Sequence, residues 1–438
     1  MGLGEDSQLL HALGMCDWRN QSALREALNK YFTPGASEET RQSCIEALCD
    51  GYEGIPSMTG IHCSQAALLI SRLPVPPRVI EVIEHMYSRW DDSMPGPCGT
   101  DVPIEARIIA LAAGAELSRA AGGIGYVLEM ARDRAGSQFD PELCALLAKH
   151  AERELADYQQ RSCTELFLAE EPEPKLSLKG HERVEVARCF ADYVDQKSGW
   201  FHGHSRQVAS LALRVGNAVG LPQEMCDGVF LAGLLHDIGR AAVPNRVWEK
   251  PGELSSSERR EAERHSVFTA SILADAEIFA DVLDCAESVH ERLDASGYHR
   301  RTQLAAKSAA CVAVADVYNA LTHARPWRKA MSADKASDVL VADVQAGVLP
   351  ADIVDALLRE VGQKKAHAKP MFPAGLTHRE VEILGCLIRG ISNKEIADEL
   401  GISPKTVENH LTKVYDKTGT EGRSQAGLFA LKHRILAE

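Results

Sequence analysis

Apolar positions recur at helical spacing along most of the chain, and no run alternates as a half-buried strand would. Ser22–Tyr31 and Ser37–Leu48 are the first predicted helices, with Thr33-Pro34-Gly35 and Gly54-Ile55-Pro56 as turns. A helix is expected from Gly60 to Leu73, a break at Pro74–Pro77, and another helix over Val79–Trp90. The middle of the chain predicts His204–Leu221, Cys226–His236, Ser257–Asp275, Phe279–Arg292, Ala305–Thr322 and Ala333–Ala346. Ser256 or Ser257 is the expected N-cap of the third of these. Near the C-terminus, Thr377 and Glu380 form a capping box that opens a helix through Arg389. Asn393–Leu400 follows, then a helix capped by Ser403 with Pro404 at its first position, then Arg423–His433. The predicted fold class is all-α.

Two stretches interrupt this pattern. Residues 169–175 are acidic and proline-broken, and residues 362–375 are basic with two prolines. Such compositions bury too little to pack, so both read as linkers. They divide the chain into 1–168, 176–361 and 376–438. The first two parts are related by a repeat: Arg89–Ser93 matches Arg292–Ser296, and Ile108–Ala113 falls on Cys311–Asp316, both at an offset of 203. His62 matches His204 at an offset of 142. At matched polar positions the first copy has Tyr87 against His290 and Ala113 against Asp316, so it reads as the same fold emptied of its site.

The chemistry concentrates in the second copy. The run Leu231–Arg240 delivers His236 and Asp237 at the end of an apolar helix, and His204, His265, His290 and Asp316 begin, end or line others. Burying so many imidazoles and carboxylates costs several kcal/mol unless something pairs them, and a divalent metal is the simplest common partner. His204, His236-Asp237-Ile238-Gly239, His265, His290–Tyr298 and Ala315–Thr322 together resemble the HD-GYP branch of the HD phosphohydrolases over about residues 185–360. The resemblance implies that His204, His236, Asp237 and Asp316 hold one ion. Asp237, His265 and His290 would help hold a second, with Asp237 bridging. It further implies iron, manganese or another transition ion, a nucleotide or other phosphorylated small molecule as ligand, and Asp237 with Arg240 as the catalytic pair. Five positions depart from the family. Val289 stands where a second histidine is usual, and Arg240 replaces a lysine. His299 follows Gly297-Tyr298 in place of proline, Ala295 replaces a glycine, and Trp200 stands where some members place glutamate. The one-ion set is intact, whereas the two-ion set lacks a ligand.

At the C-terminus, Leu376–Leu384, Gly390–Ala397 and Ser403–His410 closely resemble the LuxR-type DNA-binding domain. The resemblance implies a helix-turn-helix whose second helix enters the major groove. Lys405 and Thr406 would face the backbone, Glu408, Asn409 and Thr412 the bases, and Lys413 a phosphate. Ile396, Leu400, Val407 and Leu411 read as core.

Charge sharpens the division of labour. The chain of 438 residues carries a net charge of −14, yet residues 370–438 hold nine Lys plus Arg and nine Asp plus Glu. An acidic body joined to a neutral reader argues against general coating of nucleic acid and for two different partners. Few phosphate contacts per copy mean weak monomer binding, so a homodimer on double-stranded DNA is expected. The twelve cysteines form no C-x-x-C pair, the acidic start lacks a signal pattern, and no run is long enough for a membrane span. These features predict a cytoplasmic protein, and the two resemblances imply tandem HD-type domains, the first degenerate, then a four-helix LuxR-type domain. The expected function is a DNA-binding regulator whose HD body senses or hydrolyses its ligand. The alternatives are a phosphohydrolase localised by its DNA-binding domain, or a regulator with an inert HD scaffold.

Overall fold

The computed structural model describes residues 14–31, 38–51, 55–155, 163–171, 178, 180–363, 372–433 and 435. Every regular element among them is helical, and the only strand-like features are isolated bridges. Two compact units result, one from residues 1–189 with 244–249, the other from 190–243 with 250–438. Most of the first expected linker and residues 364–371 of the second lie outside the described residues.

The first unit contains Gln21–Tyr31, Glu38–Asp50, Ile55–Ile70, Pro77–Glu84, Ile104–Gly122, Ile124–Arg134 and Pro141–Glu154. Ile55–Ile70 begins five residues earlier than expected: Pro56 sits in its first turn, where a missing N–H costs nothing. Pro77–Glu84 ends early, because His85 leaves the helical pattern and the chain turns through Ser88–Trp90. Asp140 caps the last helix, with Pro141 at its first position, and pairs with Arg107 at 2.6 Å. His62, Tyr87 and Ala113, the counterparts of His204, His290 and Asp316, are all exposed. They form no cluster that could hold a metal.

In the second unit, Lys307–Thr322 runs through the centre, buried at every residue from Ala309 to Asp316. Its small side chains let His204–Ala218, Gln223–Leu235 and Ala351–Glu360 pack closely around it. Gly233 makes a close crossing with His204–Ala218: a Cβ there would lie 2.6 Å from the Ala209 Cα. Ser256–Ala274 is capped by Ser255, one residue before the expected pair, in a full capping box with Glu258. The expected continuous helix over Phe279–Arg292 is broken instead. Glu277–Val282 is a 3-10 turn, Leu283–Glu287 a single α-turn, and the chain then bends to present His290. The bend persists because the loop that follows is tied to His290 and Glu291.

The C-terminal helices fall where predicted: His378–Ile388, Asn393–Leu400, Pro404–Thr418 and Arg423–Lys432. Thr377–Glu380 closes the predicted capping box, Ser392–Glu395 adds another, and Ser403 caps the third helix. Ile383, Ile396, Val407 and Leu411 are buried together, with Leu400 packed against them. Gly401 takes the left-handed conformation (φ 62°) that the tight turn between the second and third helices needs.

Candidate metal centre and DNA-reading helix

Six side chains from five places in the chain converge in the second unit. His204 opens one helix, His236 and Asp237 end another, His265 lies inside Ser256–Ala274, His290 sits on the bend, and Asp316 lies on the central helix. All six are buried, and His236 and Asp237 have no exposed surface. Gly239 permits the approach: a Cβ at that position would lie 2.0 Å from the His265 carbonyl oxygen. The Gly239 N–H donates to Thr269 Oγ1 at 3.0 Å, and that hydroxyl donates to the His236 carbonyl at 3.0 Å.

The donor atoms form two overlapping groups, His204–His236–Asp237–Asp316 and Asp237–His265–His290. His204 Nε2 lies 3.2 Å from Asp237 Oδ2 and 3.3 Å from Asp316 Oδ1, and His236 Nε2 lies 3.0 Å from Asp237 Oδ2. On the other carboxylate oxygen, Asp237 Oδ1 is 3.1 Å from His265 Nε2 and 3.7 Å from His290 Nε2. Yet His204 Nε2, His236 Nε2 and Asp237 Oδ1 close no hydrogen bond of proper geometry, while Asp237 Oδ2 meets the Arg240 guanidinium as an ion pair. Orphaned, fully buried lone pairs aimed at one another are what a divalent ion would satisfy, and nitrogen with oxygen donors suit transition ions.

The outer ring nitrogens are engaged elsewhere. His204 Nδ1 bonds Asn319 Oδ1 at 2.7 Å, His236 Nδ1 donates to the Gly233 carbonyl at 2.9 Å, and His265 Nδ1 donates to the Ala262 carbonyl at 2.7 Å. These bonds turn each Nε2 lone pair inward. Asn319 is itself fixed by Gln207 at 3.0 Å. Asn319 lies one helical turn beyond Asp316 on the same buried face, a spacing that sequence inspection could have used.

Electrostatics are strongly coupled here. Burial lowers the His236 imidazole, but the Asp237 and Asp316 carboxylates outweigh it and raise it to about 10. His290, where burial dominates, is pulled down to about 4. Burial raises both aspartates, but Arg240 and His236 beside Asp237, and His204 and His236 beside Asp316, hold them well below the usual carboxylate range.

Two arginines flank the centre. Arg240 pairs with Asp237 Oδ2 and lies 4.1 Å from the Phe201 ring centroid. Arg325 lies 4.8 Å from that centroid, donates to the Trp200 carbonyl, and is drawn down to about 10 by burial. Sequence reasoning missed Arg325 and Phe201, since nothing local separates a buried arginine from a solvated one. Trp200 itself is 41% exposed.

On Pro404–Thr418, the candidate DNA-reading helix, Lys405, Glu408, Asn409, Thr412 and Lys413 are exposed, while Val407, Leu411 and Val414 are buried. Thr406 is half-buried and bonds Ser403 through both its N–H and its hydroxyl. Lys405 pairs with Glu408 at 2.7 Å.

Comparison with known proteins agrees with both parts. The HD domain family matches residues 188–347, and the luxR family of bacterial regulatory proteins matches 374–430. The 3'3'-cGAMP-specific phosphodiesterase 1 of Vibrio cholerae is 36% identical over 193 residues, 44% of this chain and 44% of that protein. Phosphodiesterase 3 of the same kind and organism is 27% identical over 315 residues, covering 70% and 68% of the two chains. The transcriptional regulatory protein LnrK of Bacillus subtilis is 32% identical over 114 residues, 24% of this chain and 52% of that one. The chain therefore spans only about half the length of two of these relatives. The crystal structure of a cyclic GMP-AMP-specific phosphodiesterase from V. cholerae shares the fold at 21% identity, with a TM-score of 0.52 over 81% of this chain and 86% of that one. Residues 188–347 are thus an HD domain, and residues 374–430 a LuxR-type DNA-binding domain.

Proposed function

We propose that this protein is a DNA-binding regulator whose HD body holds divalent metal and takes a cyclic dinucleotide as ligand and substrate. The buried lone pairs of His204 Nε2, His236 Nε2 and Asp237 Oδ1, which close no hydrogen bond, carry this reading. The relatives named as cyclic dinucleotide phosphodiesterases support the ligand class. His204, His236, Asp237 and Asp316 would hold one ion, and Asp237, His265 and His290 a second. When bound, such ions supply Lewis acidity towards a phosphoryl oxygen.

The chain's own residues do the rest. Arg240 and Arg325 bring positive charge to the centre, one beside Asp237 and both against Phe201, where an anionic phosphodiester would gain from a desolvated partner. Asn319 and the Gly233 and Ala262 carbonyls keep the imidazoles turned inward. Residues 1–168 we read as a degenerate copy of the HD fold that contributes shape and packing. Ligand in the centre would change how the DNA-binding domain of a dimer is presented to its sites.

The test is metal content and turnover of the full chain against Asp237→Ala. The wild type is expected to carry one or two transition ions and to cleave a cyclic dinucleotide with manganese. Asp237→Ala, which removes a residue of both groups, should lose the ions and at least ~99% of turnover. Equal metal content in the two proteins would sink the reading. Metal bound without turnover would leave a sensor.

A further inference from the structure

Glu291 is completely buried, follows His290 directly, and belongs to neither metal-facing group. Its Oε1 accepts the N–H of Arg300 at 2.8 Å and of Arg301 at 3.1 Å, and its Oε2 accepts the N–H of Thr302 at 3.0 Å. Three successive N–H groups thus close on one carboxylate, the arrangement by which backbone usually binds an anion. The same loop is tied at its other end, where the Tyr298 N–H donates to the His290 carbonyl at 3.3 Å. Gly297 lies flush against this turn: a Cβ would sit 2.4 Å from the His290 carbonyl oxygen and 2.5 Å from the Glu291 Cα. Tyr298 then stacks on the His290 imidazole, with centroids 4.8 Å apart and planes within 13°.

The loop would not hold this shape unaided. Ala295 (φ 58°), His299 (φ 94°) and Arg301 (φ 54°) all adopt backbone conformations that L side chains rarely take. Such conformations persist where the surroundings over-determine them. Among the described residues no other hydrogen bond is made to these oxygens, so the buried carboxylate needs those N–H groups as much as the loop needs the carboxylate.

We propose that Glu291 is a positioning residue. By capturing Arg300–Thr302 it holds Tyr298 against His290 and sets the imidazole that faces His265. The neighbouring Val289 offers no donor, so this turn presents a single ligand whose aim depends on the loop. The inference rests on the metal reading above.

Full-length Glu291→Gln and Tyr298→Leu, beside wild type, His204→Ala and His290→Ala, test it. Gln keeps the volume but sets an NH2 donor against backbone donors. Two readouts are used: native-state trypsin cleavage at Arg300 and Arg301, and a manganese titration. Cleavage there should be at least ~10-fold faster in Glu291→Gln, with other sites unchanged. Both loop variants should weaken at least ~10-fold the ion that His290→Ala loses, and keep the ion that His204→Ala loses. Wild-type protection with wild-type metal binding overturns the proposal, and so does loss of both ions together. If Glu291→Gln does not fold, Tyr298→Leu decides by the same metal criterion. Manganese binding unchanged in both histidine variants would sink the metal reading and this inference with it, an outcome distinct from failure of the loop variants alone.

Discussion

A buried carboxylate must be met by something, and four of this chain's buried carboxylates show different answers. Asp237 and Asp316 face imidazoles and Arg240, Glu291 faces backbone N–H groups, and Glu380 faces Lys417 and the helix cap it completes. At Glu380, burial raises the carboxyl, but Lys417 at 2.7 Å and Thr377 outweigh it and hold it below its ordinary value. A depressed carboxylate contributes stability that is present above its unfolded pKa, about 4.3, and lost as pH falls through the folded value. Glu380→Gln is therefore expected to cost about 1–2 kcal/mol at pH 7 and progressively less below pH 4. Urea melts of the full chain across that range check it; a cost independent of pH would refute the pairing. The motif histidines and aspartates were legible because their order and spacing are a pattern. Arg325 and the role of Glu291 were not, because each acts through a partner distant in sequence or through backbone that no pattern encodes.

At the level of elements, close approach decides the geometry. The Ser256–Ala274 helix reaches the end of Gln223–Leu235 only because position 239 has no Cβ, and Gly233 does the same for His204–Ala218. Gly239→Ala should cost about 3 kcal/mol or more, beyond ordinary overpacking, since backbone rather than a flexible side chain lies in the way. It should also lower the metal content. Gly228→Ala, inside Gln223–Leu235 and with only an ordinary 3.8 Å contact to Val282, is expected to gain about 0.5–1 kcal/mol from helix propensity. Denaturation of both variants, with metal analysis, separates packing from propensity; equal effects would show that the crossing is not tight. Caps and periodicity announced most helices to within a few residues. They gave no helix for Ile104–Gly122, Ile124–Arg134, Pro141–Glu154, Gly180–Asp195 or Ala351–Glu360, and at Phe279–Arg292 the apolar period continues but tertiary ties to the 295–302 loop bend the chain.

Across the whole molecule, the separation of charge assigns partners. Nearly all the excess acid lies outside the DNA-binding domain, which is itself close to neutral, so few phosphate contacts per copy are expected. Asn409→Ala should cost about 1–3 kcal/mol on a selected site and relax preference at one base pair, while Lys413→Ala should weaken all sequences alike and reduce the salt slope by about 1. Site selection followed by binding at several salt concentrations measures both. Loss of base preference in Lys413→Ala would reverse the assignment. Among the described residues no helix is long and apolar enough to cross a membrane.

The sequence by itself determined that the chain is helical, where the C-terminal caps lie, that residues 374–430 are of LuxR type, and which six side chains come together. Periodicity, capping and motif spacing are local, and local information survives in one dimension. Only the tertiary structure decided that the two ligand groups share Asp237 with unsatisfied lone pairs, that Arg240 and Arg325 meet on Phe201, and that Glu291 holds the loop over His290. Those arrangements depend on distances between residues far apart in the chain, set by how closely helices can approach at positions such as Gly233 and Gly239.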